Sequence, residues 1–222
     1  MSKVKINYWL LLFAIDSMLE LASQLFNWNF LSLFSKPLLM PLLIGYFVSA
    51  SGANRSPLKK FVVLALVFSW VGDTVLMFQN INGMYFIIGL VAFLLAHVMY
   101  IVGFTKLKNS TTKVERLAII VFFLAYSATL VIFLWPGLGN MKAPVMLYAL
   151  VLTIMGVLGV IKSTTNHPYI TFGVLFFVAS DSILALNKFL IDVPFNGMLI
   201  MGTYIAAQWL IVAGVSKRIN PA

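Results

Sequence analysis

Residues 84–104 read MYFIIGLVAFLLAHVMYIVGF, with no Asp, Glu, Lys or Arg among them. A helix rises about 1.5 Å per residue, so this run is roughly 30 Å long, the thickness of a bilayer's hydrocarbon core. Its apolarity is continuous, without the alternation of a barrel strand, and in lipid the backbone must satisfy its own hydrogen bonds. The run therefore reads as a spanning helix. Working outward, similar runs fall at about 8–27, 34–51, 59–78, 116–135, 142–162, 169–190 and 196–216. The separators carry turn signals, such as Gly52-Ala-Asn-Arg-Ser-Pro57, Asn80-Ile-Asn-Gly83, Trp135-Pro-Gly-Leu-Gly-Asn140 and Asn166-His-Pro168. The expectation is an all-α membrane bundle of eight helices in one domain, residues 1–222.

Composition agrees. Of 222 residues, 62% are hydrophobic and 9% charged, and the mean hydropathy is +1.01. Soluble domains run near half apolar and about a quarter charged. An ordinary soluble domain and a disordered chain are both excluded. The chain has no Cys, which excludes disulfides, thiolate catalysis and cysteine-ligated metals. The first run is broken by Asp16 and Glu20 and lacks a small-x-small cleavage site. It reads as an uncleaved first span, with a signal peptide as the alternative.

The net charge is +9. With the N-terminus inside, the inner segments hold Lys3, Lys5, Arg55, Lys59, Lys60, Lys106, Lys108, Lys113, Arg116, Lys162, Lys217 and Arg218. The outer segments hold only Lys36, Lys142 and Lys188. The positive-inside rule then predicts an even number of spans and two cytoplasmic termini. It also explains the basic balance by topology, without a nucleic-acid partner. Two stretches suggest a parallel four-plus-four repeat: Phe68-Ser-Trp-Val-Gly-Asp73-Thr-Val-Leu76 and Phe176-Phe-Val-Ala-Ser-Asp181-Ser-Ile-Leu184. Lys36-Pro37 opens the second run as Lys142-Ala-Pro144 opens the sixth.

An ionisable side chain at the centre of a spanning helix costs at least about 2.5–3.5 kcal/mol, so such groups face a polar interior and mark function. Four of the six acidic residues qualify: Asp16, Glu20, Asp73 and Asp181. Asp73 and Asp181 lie in runs of the same direction and can meet at one depth. Each follows a small residue, Gly72 or Ser180, and precedes a hydroxyl, Thr74 or Ser182. Two neighbouring carboxyls in low dielectric do not both ionise, so one keeps its proton and the other stays charged. That is material for acid/base chemistry; the competing reading is that they only join helices by hydrogen bonds. In the fourth run Gly89, Phe93, His97 and Tyr100 share one face. Asp16 and Glu20 share a face of the first, where they either join the cavity or balance Lys36 or Lys188. His167 is read as an ordinary loop residue. With no H-E-x-x-H, G-x-S-x-G, P-loop or G-x-G-x-x-G, and one deep His, neither a metal site nor a cofactor is expected.

Lys36-Pro37, Gly72-Asp73 with Leu76, Gly89-x3-Phe93-x3-His97-x2-Tyr100 and Ser180-Asp181, in this order, resemble the YhhN-like family of lysoplasmalogenases. The resemblance covers nearly the whole chain and implies eight membrane helices. It further implies cleavage of the vinyl ether of lysoplasmalogen to a fatty aldehyde and glycerophosphocholine or glycerophosphoethanolamine. The expected catalytic residues are Asp73 and Asp181. Lys36, with Lys188, is expected to hold the phosphate. His97 and Tyr100 would orient a carboxyl or water, with Glu20, Ser180 and Thr74 in support. The expected partners are a vinyl ether lysophospholipid and membrane lipid, in a bacterial plasma membrane. The alternative function is a small proton-coupled transporter using the same carboxylates.

Overall fold

A computed structural model describes residues 7–109, 111–163 and 168–220; Lys3, Lys5 and His167 lie outside them. The described residues form eight long helices. They are α1 (Tyr8–Phe26), α2 (Asn29–Ala50), α3 (Pro57–Leu76), α4 (Gly83–Thr105), α5 (Lys113–Leu134), α6 (Lys142–Lys162), α7 (Tyr169–Phe189) and α8 (Asn196–Ile219). Two short 3-10 turns, Trp135–Gly137 and Gly139–Met141, join α5 to α6. Seven of the eight are long and apolar enough to cross a bilayer, which makes the chain a multi-pass membrane protein. The exception is α3, which carries Lys59, Lys60 and Asp73 within 20 residues.

Local chemistry sets the helix ends. Ser56 accepts from the Lys59 N–H at 3.2 Å, and Pro57 follows it at the first helical position. Thr112 and Glu115 form a reciprocal capping box at the start of α5. Asn27, at φ 55°, ends α1 in the left-handed conformation that Asn tolerates.

That abrupt turn has a consequence for α2. The chain restarts as helix at Asn29, not near residue 34, so Lys36-Pro37 does not open the helix. Lys36 instead lies about 10 Å into it. Pro37 and Pro41 are both inside α2. Pro41 has no N–H to give the Pro37 carbonyl one turn earlier. Trp70 of α3 supplies the missing donor, its indole N–H reaching the Pro37 carbonyl at 2.8 Å.

The most extensive helix pairs are α3 with α4 and α7 with α8. Glycines allow the second pair its close approach. A Cβ on Gly173 would lie 3.0 Å from the Ala207 carbonyl oxygen, and one on Gly214 would lie 3.0 Å from the Ile170 nitrogen. The largest share of buried residues falls on α8, while α5 buries only Phe123 and Leu134. At one end of the bundle, cations seat on helix C-termini. Lys162 donates to the Leu107 carbonyl at 2.9 Å, and Arg218 to the Lys162 carbonyl at 2.8 Å. The opposite end holds the cavity.

Candidate functional site

A cavity of about 470 Å³ opens where α1, α3 and α7 finish and α2, α4 and α8 begin. Asp73 and Asp181 both line it, as do Lys36, Ser180 and Lys188. Asp73 is about 5 Å and Asp181 about 12 Å from the ends of their helices, counted at 1.5 Å per residue. Asp73 is 3% exposed, so its carboxyl is nearly withdrawn from solvent.

Each aspartate is held by a tyrosine from a helix outside its own pair. The Tyr204 hydroxyl of α8 donates to Asp73 Oδ2 at 2.7 Å, and the Tyr148 hydroxyl of α6 donates to Asp181 Oδ2 at 2.8 Å. A buried carboxyl needs such a donor, because an unsatisfied one costs its full desolvation. One oxygen of each carboxyl thereby has a partner. His97 is fully buried, with Nε2 3.5 Å from Asp181 Oδ2, too long for a hydrogen bond. Neither ring nitrogen has a hydrogen-bond partner among the described residues. The ring packs edge-on against Tyr148 and Phe177, with centroids 5.2 and 4.8 Å apart.

The small residues before the aspartates admit neighbouring helices. The Phe93 ring lies where a Cβ on Gly72 would be, 2.6 Å from that position. Ser180 donates to the Ile200 carbonyl of α8 at 3.0 Å. Thr74 is absent from the cavity lining; its hydroxyl donates back to the Trp70 carbonyl at 2.8 Å. Tyr100 faces the interior and donates to Gln208, whose amide donates to Ser69 at 3.0 Å. Tyr100 thus touches no carboxyl.

Lys36 enters the same cavity from α2. Lys188 is exposed at the mouth, 4.7 Å over the Phe86 ring and 3.4 Å from the Gln79 amide oxygen. Amide side chains complete the mouth: Gln24, Gln79, Asn80, Asn187 and Asn196.

Glu20 lies beside the cavity, not in its wall. It is fully buried, accepting from Ser35 at 2.6 Å, Gln24 at 2.7 Å, Ser32 at 3.2 Å and Ser23 at 3.3 Å. This ring of neutral donors ties α1 to α2, and its member Gln24 reaches the cavity. Asp16, one turn earlier, is 7% exposed, and its Oδ2 has no partner among the described residues. Neither acid pairs with Lys36 or Lys188 there. Among the described residues, no group of three or more His, Asp or Glu side chains converges.

Of the two tyrosines that hold the aspartates, only Tyr204 carries a signal in the sequence. Tyr204 and Gln208 are i, i+4 on α8, the same face arithmetic that joins His97 to Phe93 on α4. Tyr148 stands alone in an apolar run and has no such mark.

The model of the YhhN family matches residues 31–215. Lysoplasmalogenase TMEM86A of Bos taurus is 30% identical over 187 residues, 80% of this chain and 72% of the relative. The Lysoplasmalogenase of Mycobacterium bovis is 31% identical over 159 residues, 70% of this chain and 60% of the relative. Lysoplasmalogenase TMEM86B of Mus musculus is 32% identical over 156 residues, 69% of this chain and 62% of the relative. No solved structure matches the chain.

Proposed function

The chain belongs to the YhhN family, and on that premise we propose that it hydrolyses the vinyl ether bond of lysoplasmalogen, using Asp73 and Asp181 as the acid/base pair. The observation that carries this reading is the shared cavity. It brings both carboxyls together, each anchored by a phenol, with Lys36 and Lys188 in the same lining.

The chemistry needs little more. One aspartic acid gives its proton to the alkenyl carbon distal to the ether oxygen. The electron pair of the double bond forms the new C–H bond and leaves an oxocarbenium ion, as in glycoside hydrolysis. The other, ionised aspartate faces that cation and takes a proton from the attacking water. The hemiacetal formed then collapses, releasing a fatty aldehyde and the glycerol hydroxyl of the headgroup product. No serine, thiolate or metal enters these steps.

Lys36 and Lys188 are point charges for the phosphate, and the mouth amides add neutral donors. His97 packs against Asp181 and Tyr148 and limits where the carboxyl can turn. Ser180 holds α7 to α8 beside Asp181.

The remaining topology belongs to the same proposal: eight spans, a four-plus-four parallel repeat, both termini in the cytoplasm, and residence in a bacterial plasma membrane. The parallel roles of α3–α4 and α7–α8 support the repeat, as does the meeting of Tyr100 on α4 with Gln208 on α8. The test of the activity is purified protein given lysoplasmalogen beside the ordinary acyl lysophospholipid. Aldehyde is expected from the first alone. A solute flux in liposomes without any aldehyde release would favour the transporter instead.

A further inference from the structure

A second opening lies on the outer side of α4, away from the polar cavity. It is a groove of about 370 Å³ between α4 and α6, and its lining is almost wholly apolar. Leu90 and Leu94 of α4 face Ala143, Leu147 and Tyr148 of α6 across it. Ala143 lines the groove near the start of α6.

Tyr148 links the two spaces. Its ring lines the groove, while its hydroxyl donates to Asp181, which lines the cavity. Both openings also lie in the same half of the bundle. Tyr148 is six residues into α6, and Asp181 is eight residues from the end of α7. The groove therefore runs up to one of the two carboxyls with a single side chain between.

Size gives the groove a task. A cavity of about 470 Å³ is in the range that encloses a drug-sized ligand. The phosphate, glycerol and ether of a lysolipid match its cations and amides. A long alkyl chain exceeds what remains and needs an apolar seat joined to the carboxyls.

We propose that the α4–α6 groove is the seat of the substrate's alkenyl chain, with Tyr148 as the movable wall between the chain and Asp181. This rests on the vinyl ether reading above. Turning the phenol away opens the groove to the cavity and frees the Asp181 oxygen it had held. The headgroup stays with Lys36 while the chain lies against Leu90, Leu94 and Leu147. Chain-length preference is then set by α4 and α6, not by the residues around the phosphate.

The experiment compares two alkenyl glycerophosphocholines, one long-chain and one with a four-carbon chain. Both are given to the unaltered protein, Ala143→Trp and Leu90→Trp in the same detergent. Ala143 is exposed, so the bulk added there fills the groove without entering the core. Ala143→Leu serves as the milder variant if a Trp variant fails to fold. The expected result is a fall of about tenfold or more in kcat/KM for the long chain, as for roughly two methylenes denied burial. The short substrate should stay within about twofold. Equal loss on both substrates, or no loss on either, would overturn the groove as the chain's seat. No aldehyde from either substrate with the unaltered protein would overturn the vinyl ether reading, and this inference with it.

Discussion

Replacing Asp181 by Asn separates chemistry from architecture. Asp181 Oδ2 accepts the Tyr148 hydroxyl at 2.8 Å, and an Asn carbonyl oxygen can accept the same bond. The neutral side chain has nearly the same volume, so packing against His97 and Ser180 is kept. A retained neutral hydrogen bond changes stability by no more than about 1 kcal/mol. The amide can neither give a proton to carbon nor take one from water. Loss of a positioned general acid or base costs about 10²–10⁴ in rate, or roughly 2.7–5.5 kcal/mol of barrier. The assay is aldehyde release from lysoplasmalogen in detergent, with a thermal melt of the same preparation. The expected outcome is a melting temperature within a few degrees of the parent and activity down by at least about a hundredfold. Near-parental turnover would refute the assignment. A melting temperature falling in step with activity would identify Asp181 as helix glue. Asp181→Ala supplies the contrast, because it leaves the Tyr148 hydroxyl buried without its acceptor and should cost about 1–3 kcal/mol of stability as well.

Tyr204→Phe removes the donor to Asp73 but keeps the ring against Phe93 and Phe177; kcat should fall about tenfold while stability drops by only about 1 kcal/mol, measured by turnover and melting together. Glu20→Gln replaces an acceptor oxygen by a donor inside a ring of four donors. It should lower the melting temperature by the equivalent of about 1–3 kcal/mol, with kcat of the folded fraction unchanged. Lys36→Met removes a positive charge from the cavity that Asp73 also lines. It should raise KM for the phosphate-bearing substrate about tenfold or more and weaken the dependence of KM on salt, read from kinetics at two ionic strengths.

The bundle was legible because lipid leaves so few choices. Residues 84–104 carry no charge over a bilayer's width, and only a helix satisfies such a backbone there. The aspartates were legible for the same reason, being costly where they stand. What escaped was local or relational. The start of α2 is not legible, because Asn27 and Trp28 turn the chain within two residues and polar Asn29 and Ser32 do not look like spanning helix. The phenols escaped because a tyrosine among apolar residues serves equally as packing, and only the crossing of helices shows which hydroxyl meets which carboxyl. Asp16 and Glu20 share a face in sequence yet differ in fate. The donors around Glu20 come partly from α2, and no spacing on α1 predicts them.

The phenol ties have a consequence for how the protein comes into being. Tyr204 belongs to α8 but braces a carboxyl on α3, and Tyr148 belongs to α6 but braces one on α7. Each of the two closely packed helix pairs, α3–α4 and α7–α8, holds an acid that it does not itself support. A chain whose helices have entered the bilayer but not yet packed has both carboxyls and neither brace. Under the proposed acid/base roles, helix content alone does not complete the site, which also needs α8 seated against α3. Under those roles, the acid stays idle until the bundle around it is closed.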